Sequence, residues 1–119
     1  MQNFRDLKVW EKAHAVTLAV YAATADFPSA ERFGLTSQMR RAAASIAANI
    51  AEGCVRSTDL DFARFLHTVM GSASEVEYFL LLARDLKFLE GSVHNKLTAD
   101  LEEIKRMLTA LIARLKADS

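Results

Sequence analysis

The chain is predicted to be all-α, an antiparallel up-down-up-down four-helix bundle, on three observations. Its long periodic segments repeat apolar residues about every 3.6 positions, none alternates at a period of two, and the punctuation between segments is short. Helices of similar length joined that tightly pack as antiparallel neighbours crossing at about 20°. With 119 residues, 51% of them hydrophobic, one Pro and four Gly, residues 1–119 make a single domain with enough apolar mass for one core.

The first helix is expected from about Leu7 to Thr24, with Val9, Ala13, Val16 and Val20 facing inward. The Phe27-Pro28 step ends that segment, because proline disfavours helix at the residue before it. After a connector from Ser29 to Leu35, Thr36 offers an N-cap hydroxyl and Gly53 a C-terminal stop for the second helix. Thr58 and Asp59 can cap the third, which carries Phe62, Leu66, Val69, Ala73, Val76, Leu80 and Ala83 on one face. It should reach about Leu86, a length of roughly 40 Å. Gly91-Ser92 is read as the last turn, and Val93, Leu97, Leu101, Ile104, Leu108, Leu111 and Leu115 as the seam of the fourth helix. Glu102, Lys105, Arg106 and Thr109 make its wet side.

Two helices carry a second apolar face. Behind the inward stripe of Met39, Ala43, Ile46 and Ile50 lie Ser37, Ala44, Ala48 and Ala51, where a surface helix normally presents Lys, Glu or Gln. The first helix repeats the pattern with Leu7, Trp10, Leu18 and Tyr21. A monomer would leave these in water as a contiguous patch. A homo-oligomer interface built from Leu7, Trp10, Leu18, Tyr21, Ala44, Ala48 and Ala51 is therefore expected. In the other reading, Trp10 folds onto the connector at Phe33 and the alanines merely favour helix.

Fifteen basic and fifteen acidic residues cancel to a formal charge of +0, so no global field draws the protein to nucleic acid or a membrane. Any such affinity must be local, and Lys8, Lys12, Arg40, Arg41 and Arg56, in the first half, are the candidate nucleic-acid contacts. Cys54 stands alone among Ala and Ile and reads as a small buried hydrophobe in a reducing compartment. Charges interleave with apolar residues at the N-terminus, against a secretory signal, and no uncharged run approaches the roughly 20 residues of a membrane span. A cytoplasmic location is expected.

From Asn3-Phe4-Arg5-Asp6-Leu7 through Phe27-Pro28, Glu31, Phe33-Gly34-Leu35-Thr36, Gln38, Arg40-Arg41-Ala42, Ser45-Ile46, Asn49-Ile50-Ala51-Glu52-Gly53, Arg56, Phe65-Leu66 and Gly71-Ser72, the chain resembles a known family. These are the four-helix-bundle proteins encoded by intervening sequences in large-subunit (23S) rRNA genes. The family is similar to the accessory variability determinant of diversity-generating retroelements, a pentameric barrel that binds nucleic acid and the element's reverse transcriptase. The resemblance implies a bundle and a homopentamer, and as partners RNA or DNA and a reverse transcriptase or other nucleic-acid enzyme. That relative looks strongly basic, whereas this chain loads its second half with Glu75, Glu77, Asp85, Asp100, Glu102 and Glu103. A ring would repeat the few positive residues from each subunit.

Gln38, Ser45, Asn49, Glu52 and Arg56 form a polar stripe on the second helix, with Arg41 just beyond. Such a stripe serves either to hold a backbone phosphate or to form an inter-helix network in which Arg41 or Arg56 pairs with Glu52 or Glu75. Gly71-Ser72, with Ser74, puts small residues inside a long helix and predicts a close approach there. Glu11 and His14 have the Glu-x-x-His spacing of carboxylate-bridged di-metal bundles, but no second copy accompanies them. His67 and His94 lack ligand partners, no serine nor Cys54 has an identifiable base, and no phosphate loop is present. No catalytic residue, metal site or cofactor is expected. The residues imply a non-enzymatic homo-oligomeric scaffold, and the resemblance implies that it binds nucleic acid or a nucleic-acid enzyme through a repeated basic surface; the alternative is a purely protein-binding or structural oligomer.

Overall fold

Apolar stripes set four helices side by side in the computed structural model, which describes residues 2–119. They are α1 (Lys8–Thr24), α2 (Leu35–Gly53), α3 (Asp59–Asp85) and α4 (Gly91–Ala117), and no strand occurs among the described residues. Each helix packs on its neighbours in a closed ring, α1 on α2 and α4, α3 on α2 and α4, with the broadest contact between α2 and α3. Short connections make successive helices antiparallel, and the molecule measures 46 × 23 × 20 Å. Met39, Ile46, Ile50, Leu66, Val69, Val76, Leu80, Leu101, Ile104 and Leu108 are fully buried at the centre.

Where each helix begins and ends follows from local hydrogen bonding, with two departures from the sequence expectation. The first helix spans the expected residues, with Leu7 at its N-cap, and is preceded by a separate 3-10 turn at Phe4–Asp6, capped by the Asn3 side chain accepting from the Arg5 N–H at 3.0 Å. Thr36 is not the cap of α2; it is buried inside the first turn, and the Glu31 carboxylate instead accepts from the Leu35 N–H at 3.2 Å. Thr58 does cap α3, its hydroxyl accepting from the Asp61 N–H at 3.1 Å, and Asp59 and Asp61 complement the positive end of the helix. Gly91-Ser92 is not a turn but the opening of α4. The chain reverses at Lys87, whose φ of 68° closes α3, with the Phe88 N–H donating to the Ala83 carbonyl at 2.9 Å and the Lys87 N–H to that of Arg84 at 2.9 Å. Glycine would usually occupy that left-handed position.

Gly53 ends α2 for a reason other than a left-handed turn: a Cβ there would lie 2.7 Å from Cδ1 of Phe62, so α3 can start only against a bare backbone. Gly71 is the opposite case. It is exposed, and nothing lies within 4 Å of where its Cβ would be, so the close approach expected at Gly71-Ser72 belongs to Ser72 and Ala73.

Every adjacent pair of helices is also joined by a polar contact. Thr17 donates to the Ala43 carbonyl at 3.2 Å between α1 and α2, and the Ser45 and Ser72 hydroxyls meet at 2.8 Å between α2 and α3. Glu77 and Lys105 pair at 2.7 Å between α3 and α4, which takes Lys105 off the wet side to a half-buried position. Lys12 and Glu103 pair at 3.3 Å between α1 and α4. The packing distinguishes the two helix glycines. Gly53→Ala should lower stability by about 1–3 kcal/mol through overpacking against Phe62. Gly71→Ala should raise it by up to about 1 kcal/mol through helix propensity. Urea denaturation of both variants checks the contrast, and equal effects would contradict it.

Candidate functional site

The five basic residues singled out from the sequence do not form one patch. Lys8, Lys12 and Arg56 lie toward the end where α1 begins and α2 finishes, an end closed by the Gln2 N–H donating to the Cys54 carbonyl at 3.3 Å. Lys12 is neutralised by Glu103, and Arg56 pairs with Glu52 at 3.5 Å while its guanidinium lies 4.7 Å from the centre of the Phe65 ring. Lys8 is exposed and free of ion pairs, beside an apolar groove lined by Leu7, Met107 and Arg114. Arg40 and Arg41 lie at the other end of the bundle, at the start of α2.

Arg40 is a helix tie as well as a charge. Its Nε donates to the Thr24 hydroxyl at 2.8 Å, its Nη2 to the Tyr21 carbonyl at 3.3 Å, and its guanidinium lies over the Tyr21 ring at 4.6 Å. The cation therefore sits against the last turn of α1, where the helix dipole favours positive charge. Arg41, one residue on, is exposed and shares a groove of about 410 Å³ with Phe33, Ser37, Gln38, Ser45 and Glu75. A second cavity of about 290 Å³ opens on the other side of the connector, lined by Arg32, Arg40, Thr24, Ser29, Thr36 and Phe27. None of Arg32, Arg40 and Arg41 forms an ion pair among the described residues, whereas Lys12, Arg56, Arg64, Arg84, Lys96 and Lys105 all do.

Arg32 and Phe33 escaped the sequence reading because they sit in a connector and on no helical stripe. Phe33 is 90% exposed, which also removes the alternative in which Trp10 folds onto it. The available signal was an aromatic residue next to Arg32 and Gly34, with no apolar partner at helical spacing.

The expected oligomer face divides as well. Leu7 is buried in the chain's own core, and Trp10 is half-buried, with the Phe4 ring 4.9 Å away on one side and His14 stacked at 5.1 Å on the other. Those two residues are covered by their own chain because the 3-10 turn at Phe4–Asp6 folds back over the start of α1. Leu18 and Tyr21 remain 59% and 46% exposed on α1, while on α2 Ala48 is exposed and Ala44 and Ala51 are half-buried. Thr17 at Ala43 and Tyr21 at Arg40 set the register, so the large side chains lie toward the end of α1 and the alanines run on from there toward its beginning.

The polar stripe on α2 largely satisfies itself: Asn49 donates to the Ser45 carbonyl at 2.8 Å, Ser45 meets Ser72, and Arg56 meets Glu52. His14, of the Glu-x-x-His pair, is stacked on Trp10, and no group of three His, Cys, Asp or Glu side chains comes together among the described residues. No helix among the described residues is long and apolar enough to cross a membrane. Cys54 is buried at the end of α2, and that burial pushes its thiol above the ordinary range. Native protein should accordingly react with iodoacetamide at mildly alkaline pH far more slowly than unfolded protein, by about tenfold or more. Equal rates by mass spectrometry would contradict this.

The structure has relatives. The crystal structure of a protein of unknown function from the S23 ribosomal protein family of Bacteroides thetaiotaomicron VPI-5482 is similar, with a TM-score of 0.78 and 24% identity over 87% of this chain and 97% of that one. At that identity the likeness speaks for the shared fold. No curated protein matches the chain. The family model described as 23S rRNA-intervening sequence protein matches residues 5–110, spanning all four helices, and the chain belongs to that family.

Proposed function

We propose that this protein is a non-enzymatic homo-oligomeric scaffold, most simply a pentameric ring, that binds nucleic acid through arginines repeated around the assembly. The observation that carries the nucleic-acid reading is the segregation of charge. In a chain of zero net charge, six of the fifteen lysines and arginines pair with carboxylates among the described residues, and of those that do not, Arg32, Arg40 and Arg41 gather around the start of α2. Unmatched arginines attract phosphates, and a ring multiplies the number neutralised at once.

Self-assembly rests on the α1–α2 outer face. Leu18 and Tyr21 stand out on α1 and Ala44, Ala48 and Ala51 make a low surface on α2, two shapes that fit one another between copies in a head-to-tail contact, which forms a ring when its rotation closes. Light scattering should give a mass well above the 13.2 kDa of one chain. Ala48→Glu should return it to that of one chain with helicity retained, since burying an unpaired carboxylate costs about 3 kcal/mol or more per interface. A monomeric wild type at micromolar concentration would overturn the assembly.

Nucleic-acid affinity should fall about tenfold or more between roughly 50 and 200 mM salt. Arg41→Gln should weaken it, whereas Arg64→Gln, at a cation already matched by Asp61, should change it little. No retention of single- or double-stranded RNA or DNA at low salt would refute direct binding and leave a protein-binding oligomer.

A further inference from the structure

The cavity between the end of α1 and the start of α2 has the composition of an anion site. Arg32 and Arg40 line it together with the hydroxyls of Thr24, Ser29 and Thr36, over Phe27, and no carboxylate lines it. The carboxylate next in sequence to Arg32, that of Glu31, is engaged by the Leu35 N–H at 3.2 Å. Arg40 is half-buried and has no carboxylate partner among the described residues; Thr24, the Tyr21 carbonyl and ring and the last turn of α1 hold it without cancelling its charge. Its hold on Thr24 and Tyr21 takes up one N–H on Nε and one on Nη2, so the other guanidinium donors are free and their plane is held in place before any ligand arrives. The Thr24 hydroxyl is itself committed, donating to the Val20 carbonyl at 2.8 Å while accepting from Arg40, which leaves Ser29 and Thr36 as the hydroxyls open to a ligand.

Phe33 follows Arg32 directly and is 90% exposed, the most exposed of the large apolar side chains. It also lines the neighbouring groove with Gln38, Arg41 and Glu75, so an aromatic face borders amide and guanidinium donors and one carboxylate, and the phosphate belongs in the cavity that has none. An anion cavity on one side of a short connector and an aromatic face on the other match the two parts of a nucleotide, a phosphate and an unstacked base.

Building on the nucleic-acid reading above, we propose that this corner is a single-strand binding site, in which Arg32, Arg40, Ser29 and Thr36 hold one backbone phosphate and Phe33 stacks an adjacent base. Duplexes bind less well, because their bases are already stacked on each other and do not reach Phe33. Sequence selectivity is low, since every base offers a stacking face.

The test measures fluorescence anisotropy of a labelled oligothymidine and of a duplex of the same length at low salt. Wild type should prefer the single strand, and Arg32→Gln and Phe33→Ala should each weaken its binding about tenfold. Both side chains are exposed, so melting temperature and oligomer mass should match wild type, which separates lost contacts from lost folding. Excess inorganic phosphate should compete with the oligonucleotide in wild type and less in Arg32→Gln. If both variants bind as tightly as wild type, the corner is not the site and nucleic-acid binding by another surface stands. If Phe33→Ala dissociates the oligomer, a second copy covers the ring and the proposal is overturned. Failure of wild type to bind either probe overturns both the corner site and the reading it rests on.

Discussion

The structure depends on α2 being narrow. Ala42, Ala43, Ala47 and Gly53 are buried along it, so α1 and α3 both approach its backbone closely. That closeness is what lets Thr17 reach the Ala43 carbonyl and Ser45 reach Ser72, contacts a larger side chain would hold apart. Both hydroxyls are also held within their own helices, Thr17 by the Ala13 carbonyl at 2.8 Å and Ser45 by the Ala42 carbonyl at 2.8 Å, so the inter-helix contacts set how the helices align rather than rescue buried donors. Small residues thus do two things at once: they permit dense packing, and they bring polar groups within range of one another. Most of the stability comes from burial of the larger residues around them, Ile46, Leu66, Leu80, Leu101 and Leu108.

The same economy of side chains shapes the outside. α2 carries only Ala44, Ala48 and Ala51 on its back, whereas α1 presents exposed Leu18 and Tyr21. Charged residues elsewhere follow a simple division. Pairs such as Lys96 with Asp100 at 2.8 Å or Arg84 with Asp85 at 3.1 Å are solvent-exposed, and exposed pairs contribute about 0–1 kcal/mol. Their main consequence is electrostatic: they cancel six of the fifteen cations locally, and the corner at Arg32, Arg40 and Arg41 is a place where three uncancelled ones gather.

Several residues that carry the family resemblance prove to be cross-links of the fold. Glu31 holds the first N–H of α2, Arg40 binds the last turn of α1, Ser45 meets Ser72, Gly53 admits Phe62, and Arg56 lies over Phe65. Arg40 belongs to both accounts, since its structural contacts fix the orientation of donors that remain available. Phe33 belongs to neither the core nor a cross-link.

From its sequence alone the chain determined the four helices, their inward stripes and the cap at Thr58, because periodicity and capping are properties of a few consecutive residues. The smoothness of the α2 back face and the run of small residues through Gly53 were legible for the same reason. Tertiary structure decided what lies opposite each face. Trp10, apolar and on an outward stripe, is covered by Phe4; Gly53 meets Phe62; Gly71 meets nothing; and Lys87 rather than Gly91 turns the chain. The candidate site divides in the same way. Arg40 and Arg41 could be found by their charge, but that Arg40 is fastened to Thr24 and that Arg32 and Phe33 flank it depends on how α1 and α2 rotate against each other. That rotation is set by packing between residues distant in sequence, which no local pattern encodes.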